Sequence, residues 1–152
     1  MFLCGLVAIN MMCEGYTSAD NRVTVEKGSE YFDDLYSEDI QDALQYVKET
    51  DPSFYRVEKD FESATFCMDA LAQNYRGIST YNSTMNGNVQ KLINTCFPEI
   101  IMVNPAHVRF TQKAQDPEFA DLCGIKYLLS KNPSLETPGY ILVQQFGDVY
   151  LY

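Results

Sequence analysis

Arg76, Ser79, Tyr81, Ser83 and Asn86 place a guanidinium, hydroxyls and an amide along one short stretch. Gly77 interrupts it with backbone angles that other residues avoid. Ile78 to Tyr81 mixes β-branched and aromatic residues, which suits a strand. Asn82, Ser83 and Thr84 are all competent helix N-caps. The polar groups therefore crowd one strand-to-helix junction, where α/β proteins commonly place ligands. An arginine fork matches phosphate or carboxylate, and tyrosine rings cover sugar faces. The same residues also serve as an ordinary turn followed by a cap.

Other chemistry is sparse. There is no GxGxxG or GxxxxGK[ST] loop and no HExxH pair. His107 is the only histidine, so a multi-histidine metal site is excluded within the chain. It follows Asn104-Pro105-Ala106 in an expected loop, and no GxSxG elbow accompanies it. The acid pairs Asp33-Asp34, Glu38-Asp39 and Asp60/Glu62 lack cation-loop spacing and read as solvated surface. Five cysteines with no CxxC pair make neither a disulfide framework nor a zinc site. Cys96 and Cys123 fall on apolar helix faces and read as small core residues. No metal, no cofactor and no catalytic residue is expected.

A formal net charge of −10 and a pI near 4.4 argue against nucleic acid and against a basic membrane-docking patch. At 152 residues and 46% apolar content, the chain can build one cored domain.

The elements that must position the junction follow from local pattern. Phe2 to Cys13 is strongly apolar, yet shorter than the roughly 20 residues that span a bilayer. It reads either as a buried segment or as the end of a membrane helix, with Tyr16 at the place of an interfacial aromatic. Residues 14–36 read as a linker, with a short strand at Arg22 to Glu26. Ser37 caps a helix whose Ile40, Ala43, Leu44 and Val47 make one stripe. Phe54 to Glu58 is a strand, in which Arg56 is suited to holding a carboxylate. A helix is expected over Phe66 to Gln73. Another carries Val89, Leu92, Ile93 and Cys96 on its inner face. Ile100 to Val103 is a strand, and Val108 to Phe110 an extended piece. Asp116-Pro117-Glu118 opens a helix with Phe119, Leu122 and Cys123 inward and Gly124 as its stop. Ile125 to Leu129 is a strand. Tyr140 to Phe146 and Val149 to Tyr152 flank Gly147-Asp148 as a hairpin. The fold class is α/β of mixed (α+β) type, with a mixed sheet flanked by helices and closed by a β-hairpin.

Four stretches, in order, also resemble one family. Phe54-Tyr55-Arg56-Val57-Glu58-Lys59 resembles the FYRxE segment of the YfhO-type bacterial multi-pass membrane proteins. The run from Tyr75 to Val89 resembles their GIS-x-Y-x-S-T-x-N-x-x-V pattern, and Leu122 to Leu129 their LLGVKY segment. Gly147 to Tyr152 resembles a strand that in the family leads into further chain. Cys123 departs from the family's leucine, a core exchange. That family is similar in design to GT-C glycosyltransferases, which use lipid-linked sugars, and is connected with cell-envelope polymers such as lipoteichoic acid. The resemblance implies that residues 1–13 end a transmembrane helix and that 37–152 form an extracytoplasmic domain. Its partners would be the remainder of the membrane protein and a lipid-linked sugar or envelope polymer. No catalytic residue is implied here. The residues implied to face substrate or the membrane core are Arg56, Tyr75, Arg76, Ser79, Tyr81, Ser83 and Asn86.

Overall fold

The computed structural model describes residues 2–20, 36–63, 69–81, 85–98, 100, 107–108, 110–111 and 113–152. Its centre is a four-stranded sheet in the order β1-β4-β6-β5, formed by Arg56–Lys59, Ile125–Ser130, Val149–Leu151 and Gln144–Phe146 respectively. β1 and β4 are parallel, with Glu58 opposite Leu128. β6 runs antiparallel to both β4 and β5. The sheet is therefore mixed and ends in a hairpin, as the alternation of strand and helix signals predicts.

Helix α2, Glu38–Thr50, buries the stripe expected of it: Ile40, Ala43, Leu44 and Val47. These pack on Val57, Leu129, Val149 and Leu151, the residues pointing to one face of the sheet. Fully burying such aliphatic side chains stabilises by roughly 1.5–3 kcal/mol each. The other face carries Glu58, Leu128 and Tyr152. Ala114 packs there with Leu128 and Tyr152.

Asp116 caps helix α5, Pro117–Cys123, by accepting from the N–H groups of Glu118 (3.1 Å) and Phe119 (3.3 Å). Gly124 ends it at φ +67°, a left-handed stop that leads straight into β4. Phe119 stacks on Phe110 and meets Phe97 edge-on, which builds a second core around Ile93 and Ile125.

Several expectations need correction. The helix after the junction, α4 (Gly87–Cys96), is capped by Asn86 and not by Asn82, Ser83 or Thr84, which lie outside the described residues. Of its predicted inner stripe only Ile93 is buried; Val89, Leu92 and Cys96 are exposed. In α5, Phe119 and Ala120 point inward while Leu122 is exposed. The physical reason is shared: only one narrow side of each short helix meets the second core, so i+3 and i+4 neighbours reach its rim. Helix α3 is limited to Asp69–Ala72, and the expected residues before it are not described. His107 is not in a loop: its backbone pairs with Tyr81 where β2 (Thr80–Tyr81) meets β3 (His107–Val108). Of the predicted strand at Ile100 to Val103 only Ile100 is described, buried in the second core, and the Arg22 to Glu26 strand falls outside the described residues.

At the N-terminus, helix α1 covers Phe2–Asp20, so Glu14 to Asp20 continues the helix begun by the apolar run. Leu6, Val7, Ile9, Met11, Met12 and Tyr16 are exposed on it. Among the described residues no helix is long and apolar enough to cross a membrane.

Beyond the packing of Val149 and Leu151, a polar contact ties the hairpin turn to α2. Asp39 accepts from the N–H of Asp148 at 3.0 Å, and Gly147 sits at φ +53° against the same carboxylate. A Cβ at Gly147 would lie 2.1 Å from Asp39 Oδ2. Gly147→Ala is therefore expected to cost about 1–3 kcal/mol through strain and the lost contact. Thermal unfolding should show a clear drop in Tm; an unchanged Tm would contradict this anchoring.

Candidate functional site

The junction is organised by a residue that the sequence reading left out. Glu58, in the middle of β1, is 2% exposed. Its Oε2 accepts from the N–H groups of Ile78 and Ser79, both at 3.0 Å, and its Oε1 from the N–H of Lys59 at 3.1 Å. The Ser79 hydroxyl also bonds this carboxylate and accepts from the N–H of Phe110 at 3.1 Å. Burial penalises the charged form and raises the Glu58 pKa above the ordinary carboxylate value, although these donors pull it the other way.

The segment leading into that junction turns back on β1. Helix α3 closes with Asn74 at φ +55°. The N–H of Tyr75 bonds the carbonyl of Ala70 (2.9 Å), and that of Asn74 the carbonyl of Leu71 (3.4 Å). This is a Schellman ending with asparagine where glycine is commoner. The carbonyl of Arg76 then accepts from the N–H of Val57 at 2.9 Å, so residue 76 pairs with the outer edge of β1. Gly77 does not take a positive φ, contrary to the expected use of a left-handed backbone. It is required by crowding, since a Cβ there would lie 2.9 Å from both Ala70 Cβ and the Tyr75 ring.

Tyr75 and Arg76 thereby line a cleft of about 280 Å³ with Leu44, Lys48, Tyr55, Val57 and Asn74. The Arg76 guanidinium lies 5.1 Å from the Phe54 ring and 5.9 Å from the Tyr55 ring. Burial, and then the negative charges of Glu58 and Asp69, push the Tyr75 phenol well above its usual range. Tyr75 thus stays protonated and offers ring and hydroxyl, not a phenolate.

The remaining sequence-predicted residues are placed elsewhere or are already engaged. Arg56 stacks on Phe54 at 5.4 Å, but it donates to the carbonyl of Cys123 at 2.6 Å. It completes the C-terminal end of α5, where a cation also suits the helix dipole. Ser79 is taken by Glu58 and Phe110. Asn86 accepts from the N–H of Asn88 at 2.9 Å as the cap of α4. Tyr81 is described in its backbone only, and Ser83 lies outside the described residues.

Two other features do not make a reactive centre. Lys59, 3% exposed, donates to the Ser63 hydroxyl at 2.6 Å, an arrangement resembling a serine–lysine dyad. Lys59 is also ion-paired with Asp69, so its amine is already engaged by a carboxylate. A wider groove of about 530 Å³ runs beside α5, β4 and residues 138–143. Its lysine, Lys126, is neutralised by Asp51 at 2.6 Å. Its Tyr140 hydroxyl donates to the carbonyl of Ala114 at 2.7 Å, with a pKa pushed up to about 12 by burial and neighbouring aspartates. Among the described residues no group of histidine, cysteine or acidic side chains is arranged to hold a metal.

The geometry is that of an α+β domain with a cleft lined by Lys48, Tyr75 and Arg76. The chain belongs to the family of the bacterial membrane protein YfhO, whose family model matches residues 1–151. Comparison with curated proteins and with solved structures found no match.

Glu58 was missed because a glutamate after Val57 in a short strand reads as the solvent-facing half of an alternation. Lys48 was missed because it flanks the buried stripe of α2 and meets residues 74–76 only in the folded chain. The Glu58 prediction follows from its raised pKa. Its stabilising contribution is complete below the unfolded-state value, where the carboxyl is protonated in both states. It is lost as pH rises through the higher folded value. Glu58→Gln turns an N–H donor toward backbone donors and should cost about 1–3 kcal/mol. Denaturant unfolding from pH 4 to pH 8 should show the wild-type advantage shrinking as pH rises; a growing advantage would contradict the assignment.

Proposed function

We infer that the chain is an extracytoplasmic part of a membrane protein resembling glycosyltransferases that use lipid-linked sugars. In this reading it recognises the envelope-polymer acceptor, such as lipoteichoic acid, or the lipid-linked donor. Chemistry is carried out elsewhere in the protein, and α1 carries the end of a membrane helix in residues 2–13. The observation that supports recognition is the cleft itself. It joins the half-buried Tyr75, whose ring and hydroxyl suit a sugar, to the exposed guanidinium of Arg76, suited to an anionic group.

A second reading makes the domain a structural cap on the membrane helices. It is favoured by the engagement of Arg56, Ser79 and Asn86 in internal hydrogen bonds. Arg76 separates the two readings, because its side chain supports no internal hydrogen bond among the described residues. In the complete membrane protein, Arg76→Ala should lower sugar transfer to the envelope polymer about 10-fold or more, as expected for one lost charge-assisted contact. Expression and membrane insertion should stay normal. Lost insertion, or full transfer activity, would overturn recognition by this cleft.

A further inference from the structure

We propose that the cleft between α2 and residues 74–76 is a phosphate-ester site in which Lys48 and Arg76 hold the anion. This deepens the recognition reading by naming the chemical group bound, and it rests on that reading for its biological role only.

The argument starts from charge. The chain has 21 acidic and 11 basic residues, so carboxylates outnumber the cations they could pair with. Among the described residues Lys59, Lys113, Lys126 and Lys131 are each ion-paired with an aspartate. Arg56 is spent on the carbonyl of Cys123. Lys48, Arg76 and Lys91 have no carboxylate partner there; Lys91 lies on α4 away from the cleft, whereas Lys48 and Arg76 are both exposed and line the same cleft. Among the described residues no acidic one lines it. Lys48 lies in the last turn of α2 and offsets the carbonyl end of that helix. That role needs no second cation, so it leaves Arg76 unexplained.

Arg76 is not loose. Its stacking over Phe54 and Tyr55 directs the fork, and the Arg76 carbonyl is tied to the N–H of Val57. The left-handed Asn74 is the turn that brings residue 76 back opposite α2, and its exposed amide lines the cleft as a neutral donor. A planar fork and an amide on residues 74–76 and a point cation on α2 line one cleft, and that set suits the oxygens of a phosphate better than the two of a carboxylate. A cleft of about 280 Å³ takes the phosphate with one small polyol or sugar unit on Tyr75. Such an ester occurs as the monoester of a headgroup or as the diester of a polymer.

The test is a titration of the 152-residue chain, followed by amide NMR, with inorganic phosphate, glycerol 3-phosphate and bis-glycerol phosphodiester, at constant ionic strength. Neutral glycerol is the control. Saturable shifts at Asn74 to Arg76 and around Lys48, with a Kd on the order of 1 mM, are expected for two exposed charged contacts. Lys48→Gln and Arg76→Gln should each weaken binding about 5-fold or more, and the double variant should abolish it. Lys91→Gln, on exposed α4 away from the cleft, should leave it unchanged. Preference for the diester would assign the polymer as source, and preference for the monoester a headgroup. Absence of saturation for all three phosphates, or binding unchanged in the double variant, would overturn the site. If transfer in the membrane protein depends on Arg76 while no phosphate binds, recognition stands and this site falls. If phosphate binds but transfer is unaffected, the reverse holds.

Discussion

A carboxylate with almost no access to water sits in the middle of β1, and three backbone N–H groups with one hydroxyl converge on it. Burying such a group without partners costs several kcal/mol, and the donors offset that cost only while they stay in place. Residues 78 and 79 are therefore fixed against the sheet by Glu58 rather than by a ladder of their own. The same serine carries the constraint onward by accepting from Phe110, which belongs to the second core. One polar contact thus connects the sheet, the junction and the core beneath α4 and α5.

The cleft is a consequence of this arrangement. With residues 78–79 pinned from behind and the Schellman turn at Asn74 in front, Tyr75 and Arg76 have little freedom of path. The carbonyl of Arg76 covers the open edge of β1, and its side chain comes to rest on aromatic rings facing the end of α2. The polar residues singled out from the sequence and those of the cleft therefore divide into two groups. Arg56, Ser79 and Asn86 are used internally outside the cleft, while Lys48 and Arg76 line it and face solvent.

Much of the fold was legible because its signals are local. The stripe of α2, the Asp116-Pro117 start, the Gly124 stop and the Gly147-Asp148 turn each depend on a few adjacent residues, and all appear where the pattern places them. The site was legible in part. Tyr75 and Arg76 belong to it, but Glu58 and Lys48 join it only through the sheet and the helix packing. A strand residue's environment depends on what covers its face, and no spacing rule reports that. The exposure of Val89, Leu92 and Leu122 has the same origin. Their helical periodicity is real, but the core they would face is narrower than the stripe.

The central claim is that the buried carboxylate holds the junction, and hydrogen exchange at single amides tests it most directly. In the wild-type chain the amides of Ile78 and Ser79 should be strongly protected. In Glu58→Ala their protection should fall about 10- to 100-fold more than that of Leu128 and Tyr152, which pair within the sheet. Equal protection at Ile78 and Ser79 in the two proteins would contradict the account, since the junction would then be held by something other than Glu58.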